Sequence, residues 1–216
     1  MSDAGQPAGG IRAVLFDFGG VLTTSPFEAF SRYEAEHGLP EGFIRSLNAT
    51  DHHENAWAKL ERNEISIGRF TELFEHEAEA AGQRLDGAAV ISLLRGELRP
   101  RMVRAVERCK ERYLVGLLTN NFLVEEASRT DGPAAGVLGL FDAVVESWRV
   151  GVRKPERRFF EIACEALRID PHEAVFLDDL GVNLKPARAM GMRTIKVAGE
   201  IEALAELEAV LGIPLS

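Results

Sequence analysis

Asp17, Asp178, Asp179, Lys154 and the Thr119-Asn120 pair are the side chains through which this sequence could do chemistry, and each follows or flanks an apolar run. Ile11–Phe18 (IRAVLFDF) carries Asp17 just ahead of Gly19-Gly20. Tyr113–Leu118 (YLVGLL) runs into Thr119-Asn120-Asn121, and Ala174–Leu177 (AVFL) into Asp178-Asp179. Lys154 lies in the loop Gly151–Pro155. Carboxylates, a hydroxyl, an amide and an ammonium on one rim can hold a hard divalent cation on oxygen, and a phosphate on the cation, the lysine and backbone N–H groups. Singly the signals are bland. An Asp behind a strand is usually a turn or cap residue, Thr-Asn is a common turn, and Lys-Pro is a common solvated loop. Adjacent acids are more telling, because they repel and are costly without a counter-ion.

The elements around these residues decide whether they meet. The apolar runs read as strands buried on both faces, joined by Phe141–Val145 and Arg193–Val197. Helical patterns of ordinary length separate them: Met102–Cys109, Pro155–Leu167, Asn183–Met190 and a last helix through Leu211. Strands alternating with helices predict βαβ units and a parallel sheet. In such sheets ligands bind beyond the carboxyl ends of the strands, where the candidate residues fall. The stretch 22–98 is different. Ser25-Pro26, Ser66 and Asp86 are N-cap signals, Gly38 and Gly82 are stops, and the apolar residues recur at helical spacing. The expected organisation is a tail at 1–10, an α/β core at 11–21 and 99–216, and an all-helical insertion at 22–98.

Composition narrows the function. The 216 residues are 46% apolar and 27% charged, enough to build a sizeable core. The net charge of −9 argues against nucleic acid, which demands a basic face. Segment 22–98 holds 14 Asp/Glu against 7 Lys/Arg and most of that negative charge. Cys109 and Cys164 have no metal or redox spacing and read as core residues. The start, MSDAGQPAGG, has no leader pattern, and no apolar run reaches the ~18 residues of a membrane span. A cytoplasmic chain is the default reading. Nothing in the sequence speaks to its oligomeric state.

Four segments, in order, resemble the haloacid dehalogenase-like superfamily, whose members are mostly Mg²⁺-dependent phosphatases: FDFGGVL (Phe16–Leu22), LLTNN (Leu117–Asn121), VRKPE (Val152–Glu156) and FLDDLGVNLKPA (Phe176–Ala187). The helical insertion is similar to the family's cap domain in its usual place. Within the superfamily the chain resembles the phosphatase-like domains that begin soluble epoxide hydrolases and acyl-CoA dehydrogenase fusion proteins. The resemblance implies a Rossmann-like core and a set of roles. Asp17 is the nucleophile that forms an aspartyl-phosphate. Asp17, the Gly19 carbonyl and Asp179 ligate Mg²⁺, with Asp178 acting through water. Thr119 and the Asn120 N–H bind phosphate, Lys154 neutralises charge, and Asn183 orients the acids of the fourth segment.

One departure matters. Where the family's phosphatases carry a second Asp, as general acid and base, this chain has Gly19. Such catalysis is typically worth ~10²–10⁴-fold. Three readings follow: a phosphohydrolase acting on a small phosphate ester with a good leaving group or with an acid supplied by the cap; a scaffold that keeps metal and phosphate but turns over slowly; or a metal-independent dehalogenase, whose halide leaves without a proton. His52, His53, Glu54, Glu61 and Glu64 are the cap candidates for the acid, although a solvated face is the ordinary explanation for any one of them. An acidic cap disfavours large polyanions and favours a small monophosphate. Phe27, Phe30, Tyr33, Trp57, Phe70 and Phe74 line either a pocket or the cap's own core.

Overall fold

The computed structural model describes residues 10–122 and 133–215, so the expected tail lies outside it except for Gly10. Five strands form one parallel sheet: β1 (Ala13–Phe16), β2 (Leu114–Thr119), β3 (Ala143–Glu146), β4 (Ala174–Asp178) and β5 (Arg193–Lys196), in the order β3-β2-β1-β4-β5. β1 is central, with Phe16 level with Leu117 of β2 and Leu177 of β4. The chain steps outward from β1 in opposite directions, and in such sheets ligands bind beyond the carboxyl ends of the strands at that point.

Strand alternation sends two sets of side chains to two faces. Val14, Phe16, Val115, Leu117, Val175 and Leu177 pack under α6 (Pro100–Lys110) and α11 (Glu200–Leu211). Ala13, Leu15, Leu118 and Phe176 pack under α9 (Arg157–Leu167) and α10 (Gly181–Ala189). Both cysteines are buried in these layers, and burial pushes their thiols up, to about 12 for Cys109 and about 11 for Cys164. At neutral pH they are packing residues rather than nucleophiles. Two short helices, α7 (Pro133–Leu138) and α8 (Ser147–Val150), flank β3 and have no counterpart in the sequence reading.

Between β1 and α6 lie α1 (Pro26–Glu36), α2 (Phe43–Ala49), α3 (Ala56–Glu61), α4 (Ile67–Ala80) and α5 (Gly87–Ser92). The expected caps form: Ser25 accepts from Phe27 N, Ser66 from Arg69 N and Asp86 from Ala89 N. Phe30, Tyr33, Trp57, Phe70 and Phe74 pack on one another in a separate apolar cluster, with Phe27 partly buried at its edge. Trp57 and Phe70 meet edge to face at 4.8 Å. These aromatics are the block's core, so the pocket alternative is answered against. The two connections to the sheet run side by side, with Thr24 N donating to Glu97 O and Arg99 N to Leu22 O, each at 2.8 Å. Among the described residues no helix is long and apolar enough to cross a membrane.

Candidate active site

The loop after β1 is shaped by two glycines with different needs. Asp17 takes its place through its own N–H, which donates to Leu177 O at 2.9 Å, and its Oδ1 accepts from Phe18 N at 2.7 Å. Gly19 has ordinary extended angles (φ −68°, ψ 129°), and a Cβ there would meet nothing within 4 Å. Gly20 is left-handed (φ 75°), and a Cβ there would lie 2.2 Å from Asp179 Oδ2. Only glycine lets this backbone lie against the carboxylate.

The strand ends gather the candidate residues. Oxygens of Asp17, Asp178 and Asp179 all lie within 4.8 Å of one another. Lys154 Nζ sits between two of them, 2.7 Å from Asp17 Oδ1 and 2.8 Å from Asp178 Oδ2. Its side chain is 1% exposed, against 0% for Asp178 and 11% for Asp17. Asp178 is the most engaged of the three: Leu180 N donates to Oδ1 at 2.8 Å, and Asn183 Nδ2 lies 3.1 Å from both oxygens. Asp17 and Asp179 keep the most free capacity. Thr119 is buried at the end of β2, on the same rim.

Charge is unbalanced in this cluster. Burial raises the Asp17 carboxyl well above the usual range, Lys154 pulls it back, and Asp178 and Asp179 push it up again. Burial, and then Asp178, move Asp179 up to about 6. Burial alone would lower the Lys154 ammonium, but Asp17 and Asp178 more than offset it and hold it above its ordinary value. Three carboxylates share one ammonium, which touches Asp17 and Asp178 but not Asp179, and the excess of two negative charges is what one divalent cation would neutralise. A buried all-oxygen donor set with that charge deficit fits Mg²⁺.

Three contacts in or beside the site carry no local sequence signal. The Asn120 amide clamps the loop before α9: its Oδ1 accepts from Lys154 N at 2.8 Å and its Nδ2 donates to Lys154 O at 2.9 Å. Arg99 Nη1, at the return connection, donates to Gly20 O at 2.9 Å. Glu61, the last residue of α3, reaches across from the helical block, with Oε2 2.5 Å from Arg153 Nε, while Arg153 Nη1 donates to His52 O at 2.8 Å. The other proposed acids stay outside. Glu54 and Glu64 are exposed and pair with Lys59 and Arg62, and the rings of His52 and His53 are exposed and pack on each other. Arg149 is also a surface residue, over the Trp148 ring and 2.8 Å from Glu146.

Comparison with known proteins places the chain's family and fold. A family model described as haloacid dehalogenase-like hydrolase matches residues 11–191. The chain is 36% identical over 214 residues to acyl-CoA dehydrogenase family member 10 of Mus musculus, covering 94% of this chain and 19% of that protein. It is 33% identical to bifunctional epoxide hydrolase 2 of Sus scrofa, covering 95% of this chain and 40% of that protein. The chain therefore spans about a fifth and two fifths of these two relatives. Phosphatase MT3486 of Mycobacterium tuberculosis is 29% identical over 93% of this chain and 97% of its own length. A haloacid dehalogenase-family enzyme of Bacteroides thetaiotaomicron, solved with magnesium and inorganic phosphate, has a TM-score of 0.58 at 19% identity, covering 86% of this chain and 93% of its own. L-2-haloacid dehalogenase of Xanthobacter autotrophicus has a TM-score of 0.61 at 19% identity, covering 92% and 82%. The fold is shared with both chemistries and does not choose between them.

Proposed function

We propose that this chain, which belongs to the haloacid dehalogenase-like hydrolases, is a Mg²⁺-dependent phosphohydrolase acting on a small phosphate ester through an aspartyl-phosphate. The observation that carries the reading is the cluster of Asp17, Asp178 and Asp179 around a single Lys154. A dehalogenase needs one carboxylate nucleophile and no cation. Two further carboxylates beside it are an electrostatic cost that Lys154 offsets in part and a divalent cation would offset in full.

In this reading Asp17, Asp179 and the Gly19 carbonyl hold Mg²⁺, with Asp178 behind a water, and the ion when bound supplies charge neutralisation for the phosphoryl group. An Asp17 oxygen attacks phosphorus as the ester oxygen leaves. The Thr119 hydroxyl and the Asn120 N–H hold the phosphoryl oxygens, and Lys154 favours the ionised form of Asp17 and offsets charge in the transition state. Asn183 fixes Asp178, which in turn fixes Lys154. Residues 22–98 act as the cap over a core made of 11–21 and 99–216. A slow scaffold is the competing reading, and Gly19 is the feature that favours it.

The test is hydrolysis of an aryl phosphate with Mg²⁺ by wild type and Asp17→Asn. The expected result is turnover that EDTA stops and that the variant lacks. Full activity in Asp17→Asn rejects the nucleophile. Metal-independent halide release from a 2-haloacid selects the dehalogenase.

A further inference from the structure

The absence of a side chain at Gly19 leaves the leaving oxygen without a proton donor from the loop after β1. Glu61 is the one cap candidate that the fold brings onto the catalytic loops. It comes from α3, whose other side, through Trp57 and Leu60, is locked in the helical block's core. It meets Arg153, the residue before Lys154, and lies close enough to Lys154 and the Asn120 amide for both to favour its ionised form. Glu61 Oε2 and Arg153 Nε form a close, buried ion pair at 2.5 Å, and the Asn120 side chain lies within hydrogen-bonding reach of the same carboxylate. A carboxylate from the helical block is thereby held on the loop that carries Lys154.

Resting on the phosphohydrolase reading, we infer that Glu61 is the catalytic acid and base of this enzyme, delivered by the cap in place of a second Asp at position 19. As the Asp17 oxygen forms its bond to phosphorus and the ester P–O bond breaks, the Glu61 proton passes to the departing oxygen and releases a neutral alcohol. The Glu61 carboxylate then takes a proton from the water that attacks phosphorus. That attack breaks the Asp17–phosphate bond, frees phosphate and returns Glu61 to its acid form. The local electrostatics suit both halves. Burial raises the Glu61 carboxyl, and Arg153 and Lys154 pull it part of the way back. An arriving phosphate dianion raises it further, which favours the protonated form that the first step uses.

A double-mutant cycle between Glu61→Gln and Gly19→Asp tests this, read with Mg²⁺ on glycerol phosphate and on p-nitrophenyl phosphate. The nitrophenolate leaves as an anion and the alkoxide does not. Glu61→Gln lowers kcat/KM for the alkyl ester by ~10²–10³-fold and for the aryl ester at least tenfold less. Position 19 has open space and an ordinary backbone, so a new Asp fits there. Gly19→Asp recovers at least ~100-fold of the alkyl rate in the Glu61→Gln background and gains less than ~10-fold in wild type, because the proton is already supplied there. Equal losses on both esters without recovery make Glu61 a structural clasp for Arg153 and overturn the inference. So does wild type that hydrolyses only the aryl ester. Absence of any Asp17-dependent turnover rejects the phosphohydrolase reading itself, a different result from either.

Discussion

The carboxylate cluster makes a quantitative statement about Mg²⁺ and pH. Asp179 is moved from 3.8 to about 6 in the folded chain, and Asp17 is also raised. A raised folded-state value means that the folded chain holds protons the unfolded chain has lost. The stability this contributes is complete below the unfolded value and is lost as pH rises through about 6. A cation requires the deprotonated form, so its effect has the opposite slope. Above pH 7, Mg²⁺ at 100 times its Kd adds about 2.7 kcal/mol. At 2–4 °C per kcal/mol for a chain of this size, that raises Tm by about 5–11 °C. One pH unit below the Asp179 value, proton competition weakens binding roughly tenfold. The same Mg²⁺ then adds about 1.4 kcal/mol, a shift of about 3–6 °C. The assay is thermal unfolding by circular dichroism at pH 8 and pH 5, with and without Mg²⁺, at matched ionic strength. A Mg²⁺ shift equal at both pH values, or one that survives in Asp17→Asn and Asp179→Asn, refutes the assignment of the cation to this cluster.

Lys154→Met leaves Asp17 and Asp178 buried without their ammonium and is expected to cost about 3–5 kcal/mol. The loss shrinks at acid pH, where Asp17 can take up a proton instead, and denaturant titrations at pH 5 and pH 8 measure the difference. Gly20→Ala meets both a left-handed backbone and the Asp179 carboxylate. It is expected to lose at least ~1–2 kcal/mol together with most of the Mg²⁺-induced shift, whereas Gly19→Ala stays within about 1 kcal/mol of wild type.

The strands were legible because parallel strands covered by helices on both faces read as unbroken apolar runs, and β1, β2 and β4 are of that kind. The clustered carboxylates Asp17, Asp178 and Asp179 were legible because they sit at fixed positions just beyond those runs. The helices of the insertion announced themselves through Ser25, Ser66 and Asp86, whose side chains do cap the turns that follow. Two helices went unread for physical reasons. Ser147–Val150 is four residues long, too short for a period, and Pro133–Leu138 carries Gly136 in its middle. Long-range contacts left no trace at all. Arg99 reaches Gly20 across 79 residues, and Asn120 reaches Lys154 across 34. The aromatics of the insertion showed helical spacing, which is the same for a pocket wall and a core. Only the neighbours contributed by other helices, such as Phe70 stacked on Phe74 and met by Trp57, settle which it is.

Placing the acid on the cap has a consequence that a carboxylate at position 19 would not have. A side chain on the loop after β1 moves with Asp17 and is always in register with it. Glu61 is tied to the core through Arg153, and its backbone belongs to a block joined to the sheet by two adjacent connections near Leu22–Thr24 and Glu97–Arg99. Proton transfer then requires the block to be seated, while attack by Asp17 on a good leaving group does not. Widening or loosening those connections should therefore lower the alkyl rate before the aryl rate. Arg99 lies where both effects meet, since it leaves the return connection and holds the carbonyl of Gly20, whose Cα faces the Asp179 carboxylate. Arg99→Gln is expected to reduce Mg²⁺ binding, read by calorimetry, and to raise the aryl-to-alkyl rate ratio together. A change in the ratio with Mg²⁺ affinity intact would separate seating of the block from the metal loop and place the coupling elsewhere in the two connections.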